Sequence, residues 1–302
     1  MRDKKLQKSS ILSALAYFDI FNHPLTVKEI HRFIDQESTL DEVESLLHIL
    51  VDTGEVSYHN PYYGIANLRA NIEERIEKQK RAEKIIPIAK RNARIIARFP
   101  FNRCVCISGS LSKGVLEKGG DIDYFIITKP GRIWISKFLL KLYKYVFLKN
   151  SKDYFCINYI ITEDTMEIKE KNLFTATELE TLLLMANPDV YKSFMEANNW
   201  YNELLPNGNR KDYDRYLVES DNPYFWSKII QVLLNNGFGT RVDRWLQKIA
   251  KQRNQKKYAE YAKSKDYTLM IRSESGEAKI HPPNAQGRVL KLHHEKLTAL
   301  QS

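Results

Sequence analysis

Apolar residues near the start of the chain recur at helical spacing. Ile11, Leu12, Leu15, Phe18 and Ile20 outline a first helix. Val43, Leu46, Leu47 and Leu50, at i, i+3, i+4 and i+7, outline another that stops at Gly54. Thr26-x-x-Glu29 and Thr39-x-x-Glu42 are capping boxes, in which the two side chains bond each other's backbone amides at a helix start. Residues 55–59 and 62–65 flank Asn60-Pro61 and predict a short β-hairpin. A charged helix follows over 69–99, with Ile85, Ile86, Ile88, Ala93, Ile95 and Ile96 on its apolar side and Pro87 as the place for a kink. Apolar runs of strand length at 104–107, 122–128 and 154–162 bracket an aromatic-aliphatic helix at 134–148. Thr175-x-x-Glu178 predicts a helix start running toward Met185, and 190–205 one helix more. Asp221-Asn222-Pro223 predicts a start with Pro in the first helical position, followed by an apolar face of Trp226, Ile229, Ile230, Leu233 and Leu234. Gly237 and Gly239 break that helix, and Val242, Trp245, Leu246 and Ile249 continue the pattern. From about 264 the periodicity fades, which predicts a loosely ordered tail.

The expected class is α+β, divided into 1–68, a linker helix 69–99, a strand-rich core 100–205, a helical region 206–265 and the tail 266–302. Helix, helix, helix and hairpin in the first unit resemble a winged helix-turn-helix domain. In DNA-binding versions the third helix needs Arg, Lys, Asn or Gln to reach phosphates and base edges. Here it carries Asp41, Glu42, Glu44 and Asp52 with no Lys or Arg, and carboxylates repel a phosphate backbone. The unit is therefore expected to pack or to contact a protein partner. A DNA-binding regulator would instead show strongly salt-dependent duplex binding.

Charge sharpens this division. The chain has 302 residues and a formal net charge of +10, yet residues 9–68 sum to −7. Residues 69–98 carry ten Lys/Arg against four Glu, and 241–265 carry nine against two acids. Such asymmetry suits a polyanionic ligand, a nucleic acid or a nucleoside triphosphate, as well as ordinary solvated helix faces. Tyr258 and Tyr261 among the lysines fit either stacking on bases or plain surface packing. The most apolar run, 133–148, is interrupted by Lys137, Lys141 and Lys144, whereas a bilayer span needs ~20 nearly uncharged residues. No membrane segment or secretory signal is expected. Cys104, Cys106 and Cys156 cannot form a disulfide framework and read as reduced, buried thiols of a cytoplasmic protein. The histidines at 23, 31, 48, 59, 281, 293 and 294 lack zinc-ligand spacing.

The chemistry is concentrated in 105–127. A buried strand ends in Gly109-Ser110, a short helix begins, and Gly119-Gly120 turns the chain into Asp121-Ile122-Asp123 at the head of a second strand. Strand alternation sends Asp121 and Asp123 to one face. Neighbouring carboxylates repel unless cations lie between them, and Mg²⁺ takes such ligands together with substrate phosphates. Gly109 lets backbone approach a phosphate, Ser110 adds a hydroxyl and an amide, and Lys113 supplies a cation.

Gly109, Ser110, Asp121 and Asp123 resemble, position by position, the Gly-Ser … Asp-x-Asp signature of the DNA polymerase β-type nucleotidyltransferase superfamily, and Lys113-Gly114 is similar to the Arg-Gly that often follows it. The likeness covers about 102–162. It implies that Asp121 and Asp123 bind Mg²⁺ or Mn²⁺, that Gly109, Ser110 and Lys113 bind the phosphates of an NTP such as ATP, and that the enzyme moves an NMP to an acceptor hydroxyl with release of pyrophosphate. The acceptor is left open among an RNA end, a sugar, another small molecule and a protein side chain. Active members carry a third carboxylate on a later strand; here Asn158 stands in the corresponding place. Asparagine offers a carbonyl oxygen to a metal but accepts no proton. Asp153, Glu163 and Asp164 flank that strand as substitutes. The altered position motivates a rival expectation, a nucleotide-binding regulator or adaptor with impaired catalysis that docks partners through the winged helix.

Overall fold

The computed structural model describes residues 6–148, 154–208, 214–219 and 223–301. Its first elements are α1 (Lys8–Asp19), β1 (Leu25–Thr26), α2 (Val27–Phe33), α3 (Leu40–Asp52), β2 (Ser57–His59) and β3 (Tyr62–Gly64). Both capping boxes form: Thr26 and Thr39 cap α2 and α3 and accept from Glu29 and Glu42. Val43, Leu47 and Leu50 of α3 are buried, while Asp41, Glu42, Glu44 and Asp52 face solvent. The hairpin gains a partner strand, giving the order β1-β3-β2.

The helix read as a linker, α4 (Leu68–Ala97), is continuous through Pro87 and is part of the core. Ala82, Ala89, Ala93 and Ile96 are buried with the strand residues Val105, Ile107, Tyr124 and Ile126. Its Lys/Arg residues mostly lie on the opposite, wet side, so the high charge that suggests a free-standing linker marks an amphipathic covering helix.

Next come β4 (Asn102–Ser108), α5 (Gly109–Ser112), β5 (Asp123–Thr128), α6 (Ile133–Phe147), β6 (Cys156–Thr162), α7 (Leu173–Thr181), β7 (Leu183–Ala186), α8 (Pro188–Ala197) and α9 (Tyr201–Leu204). After them lie α10 (Phe225–Leu234), α11 (Gly237–Lys257), α12 (Tyr267–Met270), β8 (Ile271–Ser273), β9 (Glu277–Ile280) and α13 (Ala285–Gln301). The large sheet is mixed, with order β7-β4-β5-β6-β9-β8. The β5–β6 pair is parallel and bridged by α6; the other pairs are antiparallel. Period-two alternation sorts the sheet into faces. Cys104, Cys106, Phe125 and Leu184 share one core with α7, α8 and the N-terminal helices, and Val105, Ile107, Tyr124 and Met185 share the other with α4 and α6. Cys104 and Cys106 are free, buried packing residues.

Several expectations are corrected. The helix expected to run toward Met185 ends at Thr181, and Leu183–Ala186 is the edge strand β7. The single helix expected over 190–205 is two, α8 and α9. The start at Asp221-Asn222 lies outside the described residues, while the apolar face of α10 remains exposed, Leu233 by 61%. The tail is ordered. Its β9 pairs with β6, placing Lys279 opposite Tyr159, and α13 packs on α1, where Lys296 and Asp19 pair at 2.5 Å and His293 Nε2 lies 3.1 Å from Ser13 Oγ. Charged residues in these strands conceal them from a hydropathy reading. Arg272 and Glu277 pair at 2.8 Å, and Arg272 also pairs with Glu170, so their charges are neutralised where the strands enter the sheet. No helix among the described residues is long and apolar enough to cross a membrane.

Candidate active site

Antiparallel pairing sets Ser108 opposite Asp123, so the bend that ends β4 lies beside the head of β5. Gly109 adopts φ +70°, and a Cβ there would sit 2.7 Å from Asp123 Oδ2. Only glycine permits both the left-handed backbone and this approach. Asp121, two residues earlier, accepts from the Ile122 amide at 2.8 Å and bonds the Cys156 side chain. From β6, Asn158 Nδ2 donates to Asp123 Oδ1 at 3.1 Å. Neither aspartate forms an ion pair among the described residues.

Burial, followed by the negative charges of Asp121 and Glu178, lifts Asp123 to about 6; the Asn158 hydrogen bond and Lys113 only partly oppose this. Burial, then the same two aspartates, pushes the Cys156 thiol up to about 12, so it is a neutral wall residue. The local charge balance is therefore short of cations.

Glu178 is the residue that sequence reasoning missed. Thr175-x-x-Glu178 does not cap α7; the cap is Asn172, whose side chain accepts from the Thr175 amide at 3.1 Å. One turn into the helix, Glu178 Oε2 accepts from the Gly109 amide at 3.1 Å and Oε1 from Lys113 Nζ at 2.6 Å. Lys113 also donates to the Gly109 carbonyl at 3.1 Å. A carboxylate of the chain thus holds two donors expected to meet phosphate. Ser110 is half-buried on α5, and it is the Ser108 hydroxyl that donates toward the Asp123 carbonyl, at 3.5 Å.

Glu163 and Asp164 are not brought to this site. They follow Thr162, which pairs with Thr128 at the opposite end of β5 from Asp123. Five steps along a strand separate them by ~16 Å at ~3.3 Å per residue. Glu163 lies instead 3.6 Å from Arg103. Asp153 falls outside the described residues.

Among the described residues, no three His, Cys, Asp or Glu side chains form a ready-made metal cage. Two aspartates fit Mg²⁺ nonetheless, because that ion commonly takes one or two carboxylates and completes its shell with water and substrate phosphates. A turn of the Asn158 amide would present its oxygen to the same place. Beside Asp123 opens a cavity of about 200 Å³ whose lining includes Phe125, Phe174, Phe194, Lys279 and His281. Burial, then the neighbouring Lys279 charge, lowers His281 to about 4, leaving a neutral imidazole at pH 7. Compared with protein-family models, curated proteins and solved structures, the chain gives no match in any of the three.

Proposed function

We propose that the protein is a nucleotidyltransferase that moves an NMP from an NTP, ATP among them, to an acceptor hydroxyl. In this reading the central sheet is a nucleotidyltransferase-like core and residues 1–68 form a winged helix. The observation that supports it best is the meeting of Gly109 with a cation-poor aspartate pair, where Asp123 sits at about 6 and lines an open cavity. Asp121 and Asp123 would hold Mg²⁺ or Mn²⁺, which supplies charge neutralisation at the triphosphate and at the attacking oxygen. Held as a carboxylate beside the metal, Asp123 would accept the proton of the acceptor hydroxyl. The acceptor oxygen then bonds the α-phosphorus, the α–β bridging bond breaks, and pyrophosphate leaves. Aromatic walls next to Asp123 suit a flat ring, either the base or part of the acceptor. Incubation with α-labelled NTPs, Mg²⁺ and acceptor panels is expected to yield labelled acceptor together with pyrophosphate. Pyrophosphate release absent across all four NTPs and all acceptors would reject the enzyme.

A second reading, a nucleotide-responsive regulator, is favoured by Glu178, which occupies the Gly109 amide and Lys113. An NTP using those donors must displace it. Glu178→Gln weakens the charge-assisted pair, so NTP affinity rises about tenfold, in keeping with ~1.5 kcal/mol for such a bond. Calorimetric titration checks this, and an unchanged affinity removes Glu178 from the nucleotide's path. Binding without pyrophosphate release selects the regulator over the enzyme.

A further inference from the structure

A second cleft, of about 390 Å³, lies between α6, α11 and the start of β6. Among the described residues, five cationic side chains line it, Lys137, Lys141, Lys144, Arg253 and Lys257, and no Asp or Glu does. Lys137 is the telling member. Its Nζ is buried, has no hydrogen-bond partner among the described residues, and lies 5.8 Å from the centroid of the Trp134 ring. An ammonium withdrawn from water without an anion is costly, and burial accordingly lowers Lys137 to about 8. Lys144 is already spent in part on the Phe155 carbonyl, at 3.0 Å, and Lys257 lies over the Tyr258 ring. The inner wall is shared with the acid pair: Cys156 and Asn158 line the cleft, while Cys156 bonds Asp121 and Asn158 donates to Asp123.

The geometry points to a binding site for a phosphate group of a substrate, seated on Lys137 between α6 and α11 and entering the site from the Asn158 side. The chemistry required is a compact, multiply charged anion, which an ammonium cluster without competing carboxylates selects. Two bearers share it: the polyphosphate tail of an NTP, or a phosphomonoester on the acceptor. Only the bearer's identity rests on the nucleotidyltransferase reading; anion binding itself needs neither metal nor catalysis.

The test is calorimetric titration of the full chain, in EDTA, with inorganic tripolyphosphate and with glycerol 3-phosphate. At least one is expected to bind the wild-type protein, and Lys137→Met is expected to weaken that binding tenfold or more. Removing an unpaired buried charge should leave the melting temperature unchanged or raised, and Lys137→Arg should restore binding. The double variant Lys141→Gln/Lys257→Gln, both at the mouth, provides the same test should Lys137→Met fail to fold. ATP that displaces the anion, and itself weakens in Lys137→Met, identifies the NTP tail. Simultaneous binding of ATP and glycerol 3-phosphate, with only the latter lost in the variant, identifies the acceptor. No binding of either anion by wild type, or wild-type affinity retained in Lys137→Met or, where that variant does not fold, in the double variant, overturns the proposal. Asp123→Asn separates the two ideas: tripolyphosphate or glycerol 3-phosphate binding that persists there supports the cleft whether or not NMP transfer occurs in wild type.

Discussion

Asp123→Asn is expected to abolish NMP transfer, by about 10³-fold or more, while making the protein harder to unfold. The activity loss follows from removing one of the two carboxylates proposed to hold the metal, the one whose Oδ2 would meet a Cβ at Gly109. The stability gain follows from linkage. An acid raised from 3.8 to about 6 binds its proton more tightly in the folded state, so its contribution to stability falls as pH climbs through that window. Above pH 6 the ionised Asp123 costs about 3 kcal/mol, at ~1.4 kcal/mol per pH unit. The amide carries no such cost. At pH 7.5 the variant should therefore melt several degrees higher, and the difference should shrink toward pH 4. Mg²⁺ should raise the wild-type melting temperature and leave the variant's nearly unchanged. Paired melting curves and transfer assays decide it: a variant that is less stable and still active would make Asp123 a structural residue.

Ending the chain after residue 265 is expected to destroy cooperative folding. A loose tail would be dispensable, but this one supplies β9 to the β6 edge and helix α13 to α1. It also contributes Ala278 and Val289 to the interior, exposed by only 0% and 3%. Its loss would uncover the hydrogen-bonding edge of β6 and leave Glu170 without Arg272. The truncated chain should show a broad, probe-dependent transition and rapid proteolysis throughout. A sharp melt within a few degrees of the full chain would contradict this.

The parts of the molecule that are legible in the sequence share one property: side-chain pattern and local backbone chemistry agree there. The capping boxes at Thr26 and Thr39 and the apolar periodicity of Val43, Leu47 and Leu50 depend on neighbours in sequence. So does the Gly109 bend, whereas β5 begins only at Asp123 and leaves Asp121 ahead of the strand. Illegible features depend on distant partners. The Glu277–Ile280 strand contains charges that make sense only against Arg272 and Tyr159, whose hydroxyl donates to Glu277 at 2.9 Å. Glu178 fits a capping-box spacing so well that its reach to Gly109 and Lys113, across 65 or more positions, leaves no local trace. Lys137, Lys141 and Lys144 read as interruptions of an apolar run; only the approach of α11 turns them into one wall of a cleft. The third acid sought near β6 could not be found at Glu163, because strand direction places it at the wrong end.

The clasp between α1 and α13 has a consequence for biosynthesis. Ser13 and His293 are 280 positions apart, so the first helix leaves the ribosome long before the helix that will cover it. During that interval the side of α1 meant for α13 has no native partner, and the growing chain depends on solubility or on chaperone binding to keep it from foreign contacts. A slower ribosome would lengthen this vulnerable period without altering the finished molecule.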